Sequence, residues 1–136
     1  MDFLKRDALL RRLGDVNEAP VAVSLEEFFD GNDDGGSIWC NIRNAIPPSR
    51  VFEILKQIRD RDSVSDVVIL VTQYDGGEEW PFSDTVYVVT TESEAEVVSW
   101  LGDGYVPDEH WLATTPEHFR TLNIPTGTHA IGLWWD

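Results

Sequence analysis

Between Asp66 and Thr91 the chain runs through two apolar stretches with a short acidic break between them, and nothing else in it is as apolar over such a length. Val67–Tyr74 is a continuous run rich in β-branched residues, which predicts a strand covered on both faces. Phe82–Thr91 alternates, with Val86 and Val88 opposite Tyr87 and Val89, and predicts a second strand. The two should lie in the middle of the core. Their connection, Asp75-Gly76-Gly77-Glu78-Glu79-Trp80-Pro81, sets three carboxylates beside a tryptophan.

A chain of 136 residues fits a single α+β domain spanning 1–136 and is long enough to bury a core. Six Trp, six Phe and three Tyr exclude a disordered acidic tail, because such tails are poor in aromatics. No apolar run reaches the roughly 18 residues of a membrane-spanning helix. The N-terminus, Met1 to Asp15, alternates charge with leucine and lacks the apolar run of a signal peptide. The single cysteine makes no internal disulfide. These features lead us to expect a cytoplasmic protein.

Charge is distributed unevenly. Residues 1–61 hold nine Lys/Arg against eleven Asp/Glu, whereas residues 62–136 hold only Arg120 against fourteen acids. An anionic half of this kind repels nucleic acid and anionic lipid and attracts basic proteins or cations. Solubility alone accounts for it equally well.

In chain order, residues 2–13 predict a helix, with Phe3, Leu4, Leu9, Leu10 and Leu13 on one face and Gly14 at its end. Pro20–Val23 predicts a short extended piece. Ser24-Leu-Glu-Glu27 is a capping box before Phe28 and Phe29. Ser37–Ile42 alternates and predicts a half-buried strand with Ile38, Cys40 and Ile42 on one side. Pro47-Pro48-Ser49 opens a helix carrying Val51, Phe52, Leu55 and Ile58 at helical spacing. Ser93–Glu96 is a second capping box, opening a helix to Gly102. Residues 103–115 read as loop, Thr115-Pro116-Glu117 starts a short helix to about Leu122, and Thr128–Trp135 is a final strand. Set aside residues 1–30, an N-terminal helical extension packed on the core, and the short helix at 115–122. The order is then strand, helix, strand, strand, helix, strand, which predicts a ferredoxin-like (split βαβ) antiparallel sheet with helices on one face.

Asp30-Gly31-Asn32-Asp33-Asp34-Gly35 matches the first half of a calcium loop. Oxygens of Asp30, Asn32 and Asp34 would converge on a hard cation, with Gly35 at the sharp turn. The second half fails, since the expected bidentate Glu falls on Asn41. An Asx-rich turn, in which Asp and Asn bond their own backbone, is the simpler reading.

His110, His118 and His129 show no zinc spacing. Cys40 reads as a small core residue on its strand face. No nucleophile elbow, phosphate loop or dinucleotide fingerprint occurs, and no catalytic residues are assigned. Of the adjacent Trp134 and Trp135, alternation should turn one outward. An exposed tryptophan rimmed by carboxylates is the composition of a hot spot for a basic partner, and points to Asp75, Glu78, Glu79, Trp80, Asp84 and Trp135.

The segments Phe28–Ile42 and Trp80–Val88 resemble sequence of small bacterial proteins of uncharacterised families, some of them immunity-type proteins that neutralise a secreted toxin. The resemblance spans about half of the chain. It implies a cytosolic, non-enzymatic acidic protein that binds a toxin domain, and it carries no site residues with it. Three expectations follow. The first is an immunity- or inhibitor-like interaction protein with a basic partner. The second is a cation or small-molecule module using Asp30–Gly35, with calcium as the ion. The third is an enzyme of unknown class.

Overall fold

Val67–Val71 and Val86–Val89 are buried on both faces, at the centre of a five-stranded antiparallel sheet. The computed structural model describes residues 1–113 and 122–136. The helix expected at 115–122, and His118 within it, lie outside those residues except for Leu122.

The elements are α1 (Phe3–Leu13), β1 (Val21–Ser24), α2 (Leu25–Phe29), α3 (Pro48–Arg59), β2 (Val64–Val71), β3 (Thr85–Thr90), α4 (Glu94–Ser99), a 3-10 turn at Asp103–Tyr105, β4 (Glu109–Ala113) and β5 (His129–Trp134). Of the caps read from sequence, those at Ser24–Glu27 and Gly14 form in full, the box at Ser93–Glu96 forms by half, and the helix opening at Pro47-Pro48-Ser49 has no side-chain cap. Ser24 and Glu27 make a reciprocal capping box, Ser93 accepts from the Glu96 amide, and Gly14 ends α1 at φ 64°. Pro48 occupies the first position of α3, where its missing N–H is no loss.

The sheet order is β1-β2-β3-β5-β4 and every pairing is antiparallel. Among the described residues, the helices pack on one face. Leu9 and Leu13 of α1, Phe28 of α2, Leu55 of α3 and Val97 of α4 join Val67, Ile69, Val86, Val88, Ile131 and Leu133 in one core. The opposite face carries Val68, Leu70, Tyr87, Val89 and Ala130 beneath Leu122. Period-2 alternation therefore sends β2 and β3 side chains into two separate cores.

Several expectations are corrected. No strand forms over Ser37–Ile42. Ser37 is tied back to its own loop by Asn32 Nδ2 at 2.9 Å and by its hydroxyl donating to Asp34 O at 2.7 Å. Trp39 then adopts φ 51°, which breaks an extended path. Ile38 and Trp39 are consequently both buried, and Cys40 is exposed rather than in the core. Val21–Ser24 supplies the extra strand. It pairs directly with β2, so the interleaved order of a split βαβ unit is absent. Within the stretch expected to be loop, Glu109–Ala113 is an edge strand, hidden from pattern reading because His110 and Leu112 stay exposed. On α1, Leu9 and Leu13 are buried, but Leu4 is 83% exposed.

Trp111 of β4 lies over Gly132 of β5, its register partner. A Cβ on Gly132 would come within 2.3 Å of the indole. Trp111 also meets Tyr87 edge-on at 6.2 Å. No described helix is long and apolar enough to cross a membrane.

Candidate functional site: an acidic groove beside the central hairpin

Beyond β2 the hairpin stays pinched, because Phe82 N donates to Gln73 O at 2.8 Å and Thr72 N to Phe82 O at 3.0 Å. The chain then opens into the turn. Gly76 and Gly77 hold φ 89° and 73°, conformations that side chains with a Cβ rarely adopt.

Four contacts fix this turn from outside. The Asn17 side chain donates to Tyr74 O at 2.7 Å and accepts from Tyr74 N at 3.1 Å. Arg6 Nη1 donates to Gly77 O at 2.9 Å, and the Tyr74 hydroxyl reaches the same oxygen at 3.2 Å. Trp80 N donates to Asp34 Oδ2 at 3.1 Å. The last contact joins the calcium-like loop to the hairpin, two stretches that sequence spacing had left apart.

Between them lies a groove of about 320 Å³, lined by Asp34, Gly36, Gln73, Tyr74, Asp75, Glu79, Trp80 and Phe82. Asp75 Oδ2 accepts from Gln73 Nε2 at 2.7 Å. Among the described residues no Lys or Arg pairs with an acid of residues 62–136. The only ion pair there is His110 with Glu94, at 2.8 Å. A second groove, about 220 Å³ between α1 and α2, is different in kind. Its charges neutralise one another, Lys5 with Asp30 at 2.7 Å and Arg12 with Glu27 at 3.1 Å. The Asp30 carboxylate raises the Lys5 pKa, chiefly by that hydrogen bond. The N-terminal ammonium in turn lowers the pKa of Asp33, which binds it at 2.8 Å.

The residues singled out from sequence divide into groups. Asp75, Glu78 and Glu79 are exposed on the turn, and Asp75 and Glu79 face the groove. Trp80 and Trp135 are corrections: they are 2% and 3% exposed, so neither ring is a surface anchor. Trp135 sits 4.8 Å from Trp39, and its Nε1 donates to Tyr105 O at 3.0 Å. The Trp80 and Trp39 indole N–H groups are buried without an acceptor among the described residues. Asp84 lies away from the turn, accepting from Thr85 Oγ1 at 2.8 Å and from Trp135 N through its carbonyl at 3.0 Å.

The loop Asp30–Gly35 scatters its oxygens. Asp30 pairs with Lys5, Asn32 is buried with its Oδ1 accepting from Asp34 N at 2.9 Å, and Asp34 turns to Trp80. Gly31, at φ 82°, makes the sharp bend in place of Gly35. Among the described residues no three His, Cys, Asp or Glu side chains are grouped to hold a metal ion. The basic face of α1 is expected from sequence to pack near the acidic half, and Arg6 does reach Gly77. Pattern reading missed the Asn17–Tyr74 pair, because its two residues lie 57 positions apart.

Residues 4–133 match the YfbO family, described as an uncharacterized protein family. The chain belongs to the YfbO family. A YfbO relative from Escherichia coli (strain K12), described as "Uncharacterized protein YfbO", is 38% identical over 128 residues, 90% of each chain. No solved structure matches the chain.

Proposed function

We propose that this YfbO-family chain is a non-enzymatic acidic interaction protein that captures a basic partner on the face formed by Asp34, Asp75, Glu78 and Glu79. One observation carries the reading. The carboxylates around the groove have no Lys or Arg partner among the described residues, whereas Lys5, Arg6, Arg12, Arg50 and Arg59 are all committed to ion pairs with acids of the N-terminal half. Unneutralised charge on a fixed turn steers a cationic partner and sets its register. The turn is also held in place beforehand by Asn17, Arg6 and Asp34, which lowers the ordering cost of binding. An immunity- or inhibitor-type role, with a basic toxin domain as the partner, is the form of this reading that the resemblance of Phe28–Ile42 and Trp80–Val88 supports.

The test is capture from the native cell at low and at high salt. Recovery of a basic protein at low salt, and its loss at high salt or with the Asp75→Asn/Glu78→Gln/Glu79→Gln variant, is the expected result. No partner at either salt sinks the proposal.

A further inference from the structure

We infer that the groove between α1 and α2 receives a second copy of this chain, the two copies laying α1 antiparallel across a two-fold axis at Ala8. The acidic face plays no part in this contact, so the inference goes beyond the reading above.

The exposed anchor comes first. Leu4 is 83% exposed, more than any other large hydrophobic residue among those described. A scattered surface leucine needs no explanation. This one stands on a fixed turn. Asp2 caps α1 by accepting from the Leu4 and Lys5 amides, its own amide donates to Gly31 O at 2.9 Å, and Lys5 pairs with Asp30. An anchor held in place beforehand loses little freedom on binding.

The receiving groove lies one turn further along the same helix, where Ala8 and Leu9 line it. Ala8 is exposed, small, and the midpoint of Phe3–Leu13. Antiparallel pairing about Ala8 brings Leu4 of each copy to Ala8 and Arg12 of the other, with the methylene stem of Arg12 as cover. Such a contact is self-complementary and closes at two copies.

Charge selects the occupant. The chain carries a net charge of −15, so two copies repel unless they meet where charge is cancelled. At this groove Lys5 pairs with Asp30, Arg12 with Glu27, and Arg59 with Glu26. The two ends of α1 are also complementary. Among the described residues Arg11 has no ion-pair partner, and Asp30 uses only Oδ1 to bind Lys5. The antiparallel arrangement sets Arg11 of each copy beside Asp30 of the other. A wholly basic or wholly acidic partner would match only half of this pattern.

The experiment is analytical ultracentrifugation of the purified whole chain from about 10 μM to about 1 mM, the range of a weak, small interface. The mass should rise from one chain toward two and stop there. Raising salt should tighten association about three-fold or more, because it screens the repulsion between like-charged copies. Leu4→Glu and Ala8→Arg, both at exposed positions, should weaken it about ten-fold or more with melting temperature unchanged. Arg11→Glu and Asp30→Lys should each weaken it about three-fold, and an equimolar mixture of the two should recover it, since the mixed dimer restores both charge contacts. A chain that stays monomeric throughout overturns the inference. So do growth past two copies, a dimer indifferent to Leu4→Glu and Ala8→Arg, a dimer that salt weakens, and a mixture that recovers nothing. None of these outcomes touches the capture experiment, whose variants lie on the other surface.

Discussion

The Asn17 side chain occupies both backbone hydrogen-bonding groups of Tyr74, donating to its carbonyl at 2.7 Å and accepting from its amide at 3.1 Å. A side-chain amide here extends the pairing of β2 past its last sheet residue, as a neighbouring strand would. It fixes the point where the hairpin leaves the sheet and the groove begins.

Replacing Asn17 by Ala removes both bonds. We expect a loss of about 1–2 kcal/mol in urea unfolding, at the lower end because the site is solvent-exposed. Hydrogen exchange at the Tyr74 amide should accelerate. Unchanged exchange would show that the pair does not hold the hairpin.

Gly77→Ala tests the turn itself. Nothing lies within 4 Å of the added Cβ, so the cost is that of φ 73° alone, about 1–2 kcal/mol. Gly77→Asn should cost less, because Asn tolerates left-handed backbone. Equal losses for the two variants in thermal unfolding would contradict this account.

Gly132→Ala drives a methyl into the Trp111 ring and should destabilise by about 1–3 kcal/mol. Combining it with Trp111→Ala should cost less than the sum of the two single changes, since the clash partner is gone. Additive losses in a double-mutant cycle would refute the close approach.

The acids of the groove should cost stability rather than supply it. Asp75→Asn/Glu79→Gln removes two charges from a chain of net charge −15, and we expect melting temperature to hold or rise slightly. Added salt should narrow the difference from wild type. A clear drop in melting temperature would place these carboxylates among the supports of the fold.

Alkaline pH probes the second core. Burial raises the Tyr87 pKa above that of an exposed phenol. The folded state therefore favours the protonated ring. Its contribution is whole below the unfolded-state pKa and is lost as pH rises through the folded-state value. Wild type should lose stability above about pH 10, with a steeper slope than Tyr87→Phe. Identical slopes would show that Tyr87 is not the titrating group.

The central hairpin and the helix caps were legible in the residues because their causes are local. A β-branched run, a Ser three residues before a Glu, and a Pro at a helix start each act within one turn or strand. The segment Ser37–Ile42 was misread for a physical reason. Its alternation is real, but the hydrogen bonds of Ser37 with Asn32 and Asp34 bend the chain before it extends. The acids of the turn were visible, and so was the Asp30–Gly35 loop. Their meeting was not, because the Asp34–Trp80 contact spans 46 positions. Trp80 and Trp135 looked like surface anchors from composition. The deep burial of both follows from tertiary packing that no neighbouring residue announces.

The placement of β5 between β3 and β4 bears on synthesis. Ribosomes deliver β4 first, yet its described sheet neighbour is β5, which emerges sixteen or more residues later, from His129 onward. Until then Glu109–Ala113 waits with its backbone unpaired in the sheet, and β3 offers an open edge. A nascent chain paused in this interval should be unusually dependent on chaperone cover, and clusters of slow codons between Ala113 and His129 should lower the yield of folded protein.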